Sequence, residues 1–76
     1  MENQLEKLKR GISEHNNKNY SVARKIYLEI LKDAPDHPDA NHNLAVLYME
    51  ENNLEEAEKH IHKCINSKFV LAQYFL

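Results

Sequence analysis

What most constrains this chain is that part of it is written twice. Residues 19–35, NYSVARKIYLEILKDAP, read as one amphipathic helix with a marked start and stop. Tyr20, Ala23, Tyr27, Ile30 and Leu31 fall three, four or seven residues apart and so share one helical face. Arg24, Lys25, Glu29 and Lys32 take the opposite face. Pro35 ends the run, because proline has no N–H to extend the ladder and disfavours helical geometry in the residue before it. The apolar set then returns 34 residues later as Leu54, Ala57, Ile61, Cys64 and Ile65. A period of about 34 residues is the length of a helix–turn–helix unit that buries its apolar face only by stacking on a neighbour. The expected class is therefore all-α, an α-solenoid of antiparallel helix hairpins.

The rest of the chain fits this plan. Residues 3–16 read as a first helix, with Leu5, Leu8, Ile12 and His15 in one stripe. Gly11 is a poor helix former, costing about 1 kcal/mol against alanine, so its expected use is close approach by another helix. Asn17-Lys18-Asn19 makes a polar corner with a cap at Asn19, and the second helix runs over 20–33. Pro38 suits the first turn of a third helix over 38–51, where Asp39 meets the positive end of the dipole. Leu44, Ala45, Leu47 and Tyr48 point inward. Asn53 and Glu56 have capping-box spacing at the start of a fourth helix over 54–67, and Glu55 and Lys59 form an exposed i,i+4 pair. Residues 69–76 begin a fifth helix. Links this short force successive helices to lie antiparallel and in contact. Small residues recur at the repeat offset, Gly11 with Ala45 and Ala23 with Ala57, and mark the two seams.

Composition removes several function classes. The net charge of −2 gives no basic patch for phosphates, so nucleic acid is not an expected partner. The most apolar run, 69–76, falls well short of the roughly 20 residues of a membrane span. The opening MENQLEKLKR has no apolar signal core, and the lone Cys64 forms no intrachain disulfide, which together point to a cytoplasmic protein.

These residues resemble the tetratricopeptide repeat. Gly11, Tyr20, Ala23, Tyr27 and Pro35 match a first copy, and Leu44, Ala45, Tyr48, Leu54, Ala57 and Ile61 a second. The resemblance covers about residues 4–71 and implies a single domain over 1–76: repeat one at about 4–37, repeat two at about 38–71, and a truncated third repeat or capping helix at about 69–76. Lys7 and Arg10 stand where the motif prefers an aromatic and a leucine, and Phe69 stands where it asks for a proline. The strings GISEHNNKNYSVARKIYLEIL and HPDANHNLAVLY also look like tetratricopeptide stretches ahead of bacterial glycosyltransferase-like and sulfotransferase-like domains. That finer likeness implies an alternative, a recognition domain excised from a larger bacterial transferase.

The resemblance implies a protein–protein interaction module. Its concave groove would be lined by Leu5, Leu8, Ile12 and His15 from the first helix and by His42, Asn43, Val46, Met49 and Glu50 from the third. Such a surface suits an extended peptide or a partner helix. The family's clamp for C-terminal carboxylates is not expected: Asn43 matches it, but Leu8, Ile12 and Gln73 occupy other clamp positions, and a carboxylate needs charge-assisted donors. The tail, 69–76, is apolar on all sides, and a helix of that kind must be covered on more than one side. Phe69, Leu71, Tyr74, Phe75 and Leu76 are therefore expected to drive self-association, as a dimer that can exchange helices between chains.

No catalytic, cofactor or metal site is expected. His60 and Cys64 share a helical face, but zinc sites want four ligands, and His62 points away from His60. Cys64 takes the core slot that Ile30 fills one repeat earlier, and the histidines read as surface groups. His15 with Glu14, or Glu50 with Glu51, diverge by about 100° as helical neighbours and cannot converge on a substrate.

Overall fold

The computed structural model describes residues 2–65, with backbone only for Cys64 and Ile65. Four helices follow one another: α1 (Gln4–Asn16), α2 (Tyr20–Asp33), α3 (Pro38–Glu50) and α4 (Leu54–Ile65). No strand occurs among the described residues. Consecutive helices pack together, α1 on α2, α2 on α3 and α3 on α4, and α1 also meets α3. The described residues thus form two helix hairpins laid side by side, with α2 covered by both α1 and α3. The expected fifth helix lies outside the described residues.

The backbone repeats as the side chains do. α1 ends with Lys18 N–H donating to the His15 carbonyl and Asn19 N–H to the Glu14 carbonyl. α3 ends with Asn52 N–H donating to Met49 and Asn53 N–H to Tyr48, each bond displaced by the repeat length. This pairing satisfies the last carbonyls of a helix through a residue in left-handed geometry. That residue is Lys18 in one corner and Asn52 in the other, at φ 66° and 61°.

The helix starts repeat as well. Asn3 Oδ1 accepts from Glu6 N–H at 2.8 Å and His37 Nδ1 accepts from Ala40 N–H at 3.2 Å, so a histidine caps α3 where asparagine caps α1. Asn19 sits at the cap position of α2, but its side chain makes no capping bond. Asn53 reaches Glu56 N–H only at 3.5 Å. The Glu56 side chain does not close the box; it pairs with Lys59 at 3.0 Å, taking the place expected for Glu55.

The core joins both hairpins. Ala23, Ile26, Tyr27, Ile30 and Leu31 from α2 meet Ala40, Leu44, Leu47 and Tyr48 from α3, with Leu8 from α1 and Ala57 from α4. Ala23, Ala45 and Ala57 are buried, as the small-residue positions of the two seams require. Gly11 is buried too, and the need for glycine there is steric. A Cβ at this position would lie 2.7 Å from Tyr27 Cε1 and 3.2 Å from Ile26 Cγ2. No helix among the described residues is long and apolar enough to cross a membrane.

Candidate functional site

The predicted groove would run along α1 and α3, which meet in the structure. Leu5 is 59% exposed and Met49 39%, while Ile12, His42 and Val46 are half-buried. Leu8 departs from the expectation. It is 8% exposed and belongs to the core, because the stripe of α1 turns inward at that position to meet α2. Asn43 folds its amide back on its own helix, donating to the Asp39 carbonyl at 2.9 Å. Burial holds the His42 imidazole below its ordinary pKa, against a partial opposing pull from Asp39.

At one end of this face the two helices are joined by polar side chains. His15 Nε2 lies 3.2 Å from Glu50 Oε2. The imidazole is mostly buried and sits edge-on to two aromatic rings, Tyr20 at 5.6 Å and Tyr27 at 6.4 Å between centroids. A hydrogen bond from Tyr20 is the main reason the Glu50 carboxyl stays below its ordinary range; His15 and the more distant charge of Lys18 add to it, against some desolvation. Residues that diverge along their own helices therefore converge between helices. Neighbours in sequence, His15 with Glu14 or Glu50 with Glu51, could not reveal this pair. The Tyr27 hydroxyl is fully buried and has no hydrogen-bond partner among the described residues. Burial, with the charge of Glu50 behind it, pushes its pKa up to about 12.

Glu51, the next residue, turns toward α2 and pairs with Arg24, whose guanidinium carbon also lies 5.9 Å from the centroid of the Tyr48 ring. Arg24 is thus not on a free solvent face, since α3 covers that side of α2.

A second polar junction lies inside the second hairpin, and it corrects the reading of the histidines as surface groups. Asn41 is fully buried. Its amide nitrogen donates to the Pro35 and His37 carbonyls, both at 3.0 Å, and its oxygen meets His60 Nδ1 at 2.9 Å. With the amide nitrogen committed to two carbonyls, Asn41 offers only an acceptor to His60, so Nδ1 carries the proton and donates. The His60 ring also stacks on Tyr48, with centroids 5.8 Å apart and planes 21° off parallel. Burial and the nearby Lys63 hold its pKa down. The signal that sequence reading missed was Asn41, a polar residue on the buried face of α3 between Ala40 and Leu44. Among the described residues no three His, Cys, Asp or Glu side chains gather where a metal ion could sit. The Cys64 side chain lies outside the described set, and with it the His60–Cys64 pairing.

A tetratricopeptide-repeat family model matches residues 15–66, well over half of the chain. The chain belongs to the tetratricopeptide repeat family. In comparisons with curated proteins and with solved structures, nothing matches. Membership accounts for the paired hairpins and for the capped corners recurring at one repeat length. Tetratricopeptide repeats are in general protein–protein interaction modules rather than catalysts, so the exposed α1/α3 face is the natural place to look for function.

Proposed function

We propose that this tetratricopeptide domain captures a protein partner on the α1/α3 face, as an extended peptide or a helix laid across it. The observation that carries the reading is the exposure of Leu5 and Met49, 59% and 39%, on the helices of the predicted groove. Ile12, His15, His42, Val46 and Glu50 stand on the same two helix faces and supply a mixed apolar and hydrogen-bonding surface. Such a surface is suited to a segment that brings alternating side chains. Met49→Asp and His42→Ala are expected to weaken capture of a pulled-down partner while circular dichroism stays unchanged. Equal capture by both variants would move the site elsewhere. Asn43→Ala tests a smaller contribution, because its amide is held by the Asp39 carbonyl.

A second reading, self-association, is favoured by the exposed start of α4. Leu54 is 62% exposed, whereas Tyr20, its counterpart one repeat earlier, is half-buried where α1 and α3 adjoin it. The tail residues expected to make the contact, Phe69, Leu71, Tyr74, Phe75 and Leu76, lie outside the described residues. Leu71→Glu combined with Phe75→Glu is expected to give a smaller species than the parent by light scattering. A parent that is monomeric across a dilution series removes this reading.

A further inference from the structure

We infer that the α1/α3 face selects partners carrying a basic residue, and that Glu50 receives it. The inference rests on the groove reading above and names the chemistry of the segment the groove takes.

Two consecutive glutamates at the end of α3 meet different fates. A helix turns about 100° between neighbours. Glu51 goes to the α2 side, where Arg24 already neutralises it. Glu50 goes to the α1 side, where its partners are an imidazole and a phenol. Both come from other helices, so the carboxylate is held in place before any ligand arrives. Neither supplies a fixed cation. Among the described residues no lysine or arginine lies within ion-pair distance of Glu50, and its side chain is 40% exposed. A carboxylate has roughly four acceptor sites, so donors from His15 and Tyr20 leave room for more.

The surroundings say what kind of donor fits. Val46 lies one turn before Glu50 on the same face of α3, and Ile12 one turn before His15 on α1. Met49 is exposed beside them. A cation arriving at Glu50 would thus carry its aliphatic stem over an apolar surface, as lysine and arginine do. Arginine matches best, since its planar fork can bind a carboxylate through two hydrogen bonds. An acidic segment would instead meet a fixed negative charge. Besides His15, the charge of Lys18 also reaches this carboxylate, from the exposed corner of the first hairpin.

The test is a display selection from a random nonapeptide library, run in parallel on the parent chain, Glu50→Gln and Glu51→Gln. Circular dichroism first checks that all three are equally helical. The parent and Glu51→Gln should enrich peptides with arginine or lysine next to aliphatic residues. Glu50→Gln should lose that enrichment and bind the selected peptides about tenfold more weakly, the scale of one charge-assisted contact. Enrichment of neutral or acidic peptides by the parent would overturn the role of Glu50 and leave the groove standing. So would an arginine preference that survives Glu50→Gln. No enrichment above background would overturn the groove reading itself.

Discussion

The two hairpins share one backbone plan and close their seams with different chemistry. In the first, Gly11 lets α1 approach the Tyr27 ring and Ile26 so closely that no Cβ fits. In the second, the residue at the glycine position is Ala45, and Ile61 stands where Tyr27 stood. The place of Ile26 is taken by His60, stacked on Tyr48 and bonded to the buried Asn41. Asn41 has Lys7 as its counterpart in α1, so the first hairpin has no equivalent of this junction. The first seam is held by shape and the second partly by hydrogen bonds. A repeat therefore specifies where the helices go and leaves open what holds each pair together.

The largest effect is expected where the second seam is polar. Asn41→Leu keeps the branched heavy-atom skeleton and removes the amide. The Pro35 carbonyl and His60 Nδ1 would each lose a partner, while the His37 carbonyl keeps the Asn41 backbone N–H. A buried polar group left unsatisfied costs about 1–3 kcal/mol, and here two are affected at once, so a loss on the order of 3 kcal/mol is expected in urea denaturation. A loss below about 1 kcal/mol would mean that the network contributes no more than a generic apolar contact. Lys7→Leu, the counterpart in α1, should change little.

Next is the steric seam. Gly11→Ala gains about 1 kcal/mol in helix propensity, yet the new Cβ would meet Tyr27 Cε1 at 2.7 Å. Tyr27 is fully buried and has nowhere to go, so a net loss of about 1–3 kcal/mol is expected from overpacking. The second hairpin shows how the clash is avoided, with alanine opposite isoleucine. In a Tyr27→Ile background the penalty of Gly11→Ala should therefore shrink, with a coupling of at least about 1 kcal/mol in the double-mutant cycle. Equal penalties in the two backgrounds would show that Tyr27 is not what excludes the methyl group.

This contrast also explains what was legible in the sequence. The apolar spacing placed all four helices and the inward residues Tyr27, Ile30, Leu44 and Tyr48, because burial of a face leaves a period. It placed Gly11 at a seam, because glycine inside a helix needs a reason. It did not find Asn41, since a buried asparagine breaks the period and looks like a solvent position. Nor did it find the His15–Glu50 pair, which depends on how α1 and α3 cross rather than on spacing along either one. Leu8 shows the limit from the other side: an apolar stripe does not announce which of its members face a neighbour and which face water.

A smaller, pH-dependent difference should separate the seams. His60 is held below its ordinary value of 6.5, first by burial and then by Lys63. Its neutral form is favoured in the folded chain, so it contributes stability above the unfolded value that is lost as pH falls below it. His42 acts in the same direction, and Glu50 does so lower, below 4.5. Nδ1–H can donate to Asn41 whether or not the ring is charged, so the cost on acidification is the buried charge rather than a broken bond. His60→Gln keeps a donor and cannot titrate. Its denaturation midpoint should fall less than the parent's between pH 7 and 5. Parallel pH profiles would remove His60 from the acid response.

The smallest effect concerns the two corners, where the backbone is the same and the residue differs. Lys18 and Asn52 both hold positive φ, 66° and 61°. Lysine pays for left-handed geometry through its Cβ, whereas asparagine visits it more readily. Lys18→Gly should relieve that cost and gain about 0.5–1 kcal/mol, reduced by the greater freedom glycine has when unfolded. Asn52→Gly should gain less, a few tenths of a kcal/mol or nothing. Because Lys18 also carries a charge that reaches Glu50, the pair is best compared at about 0.5 M salt, where that long-range term is screened. If the two substitutions change stability equally under those conditions, the corners are equivalent in energy as well as in geometry. The repeat would then differ only at its seams.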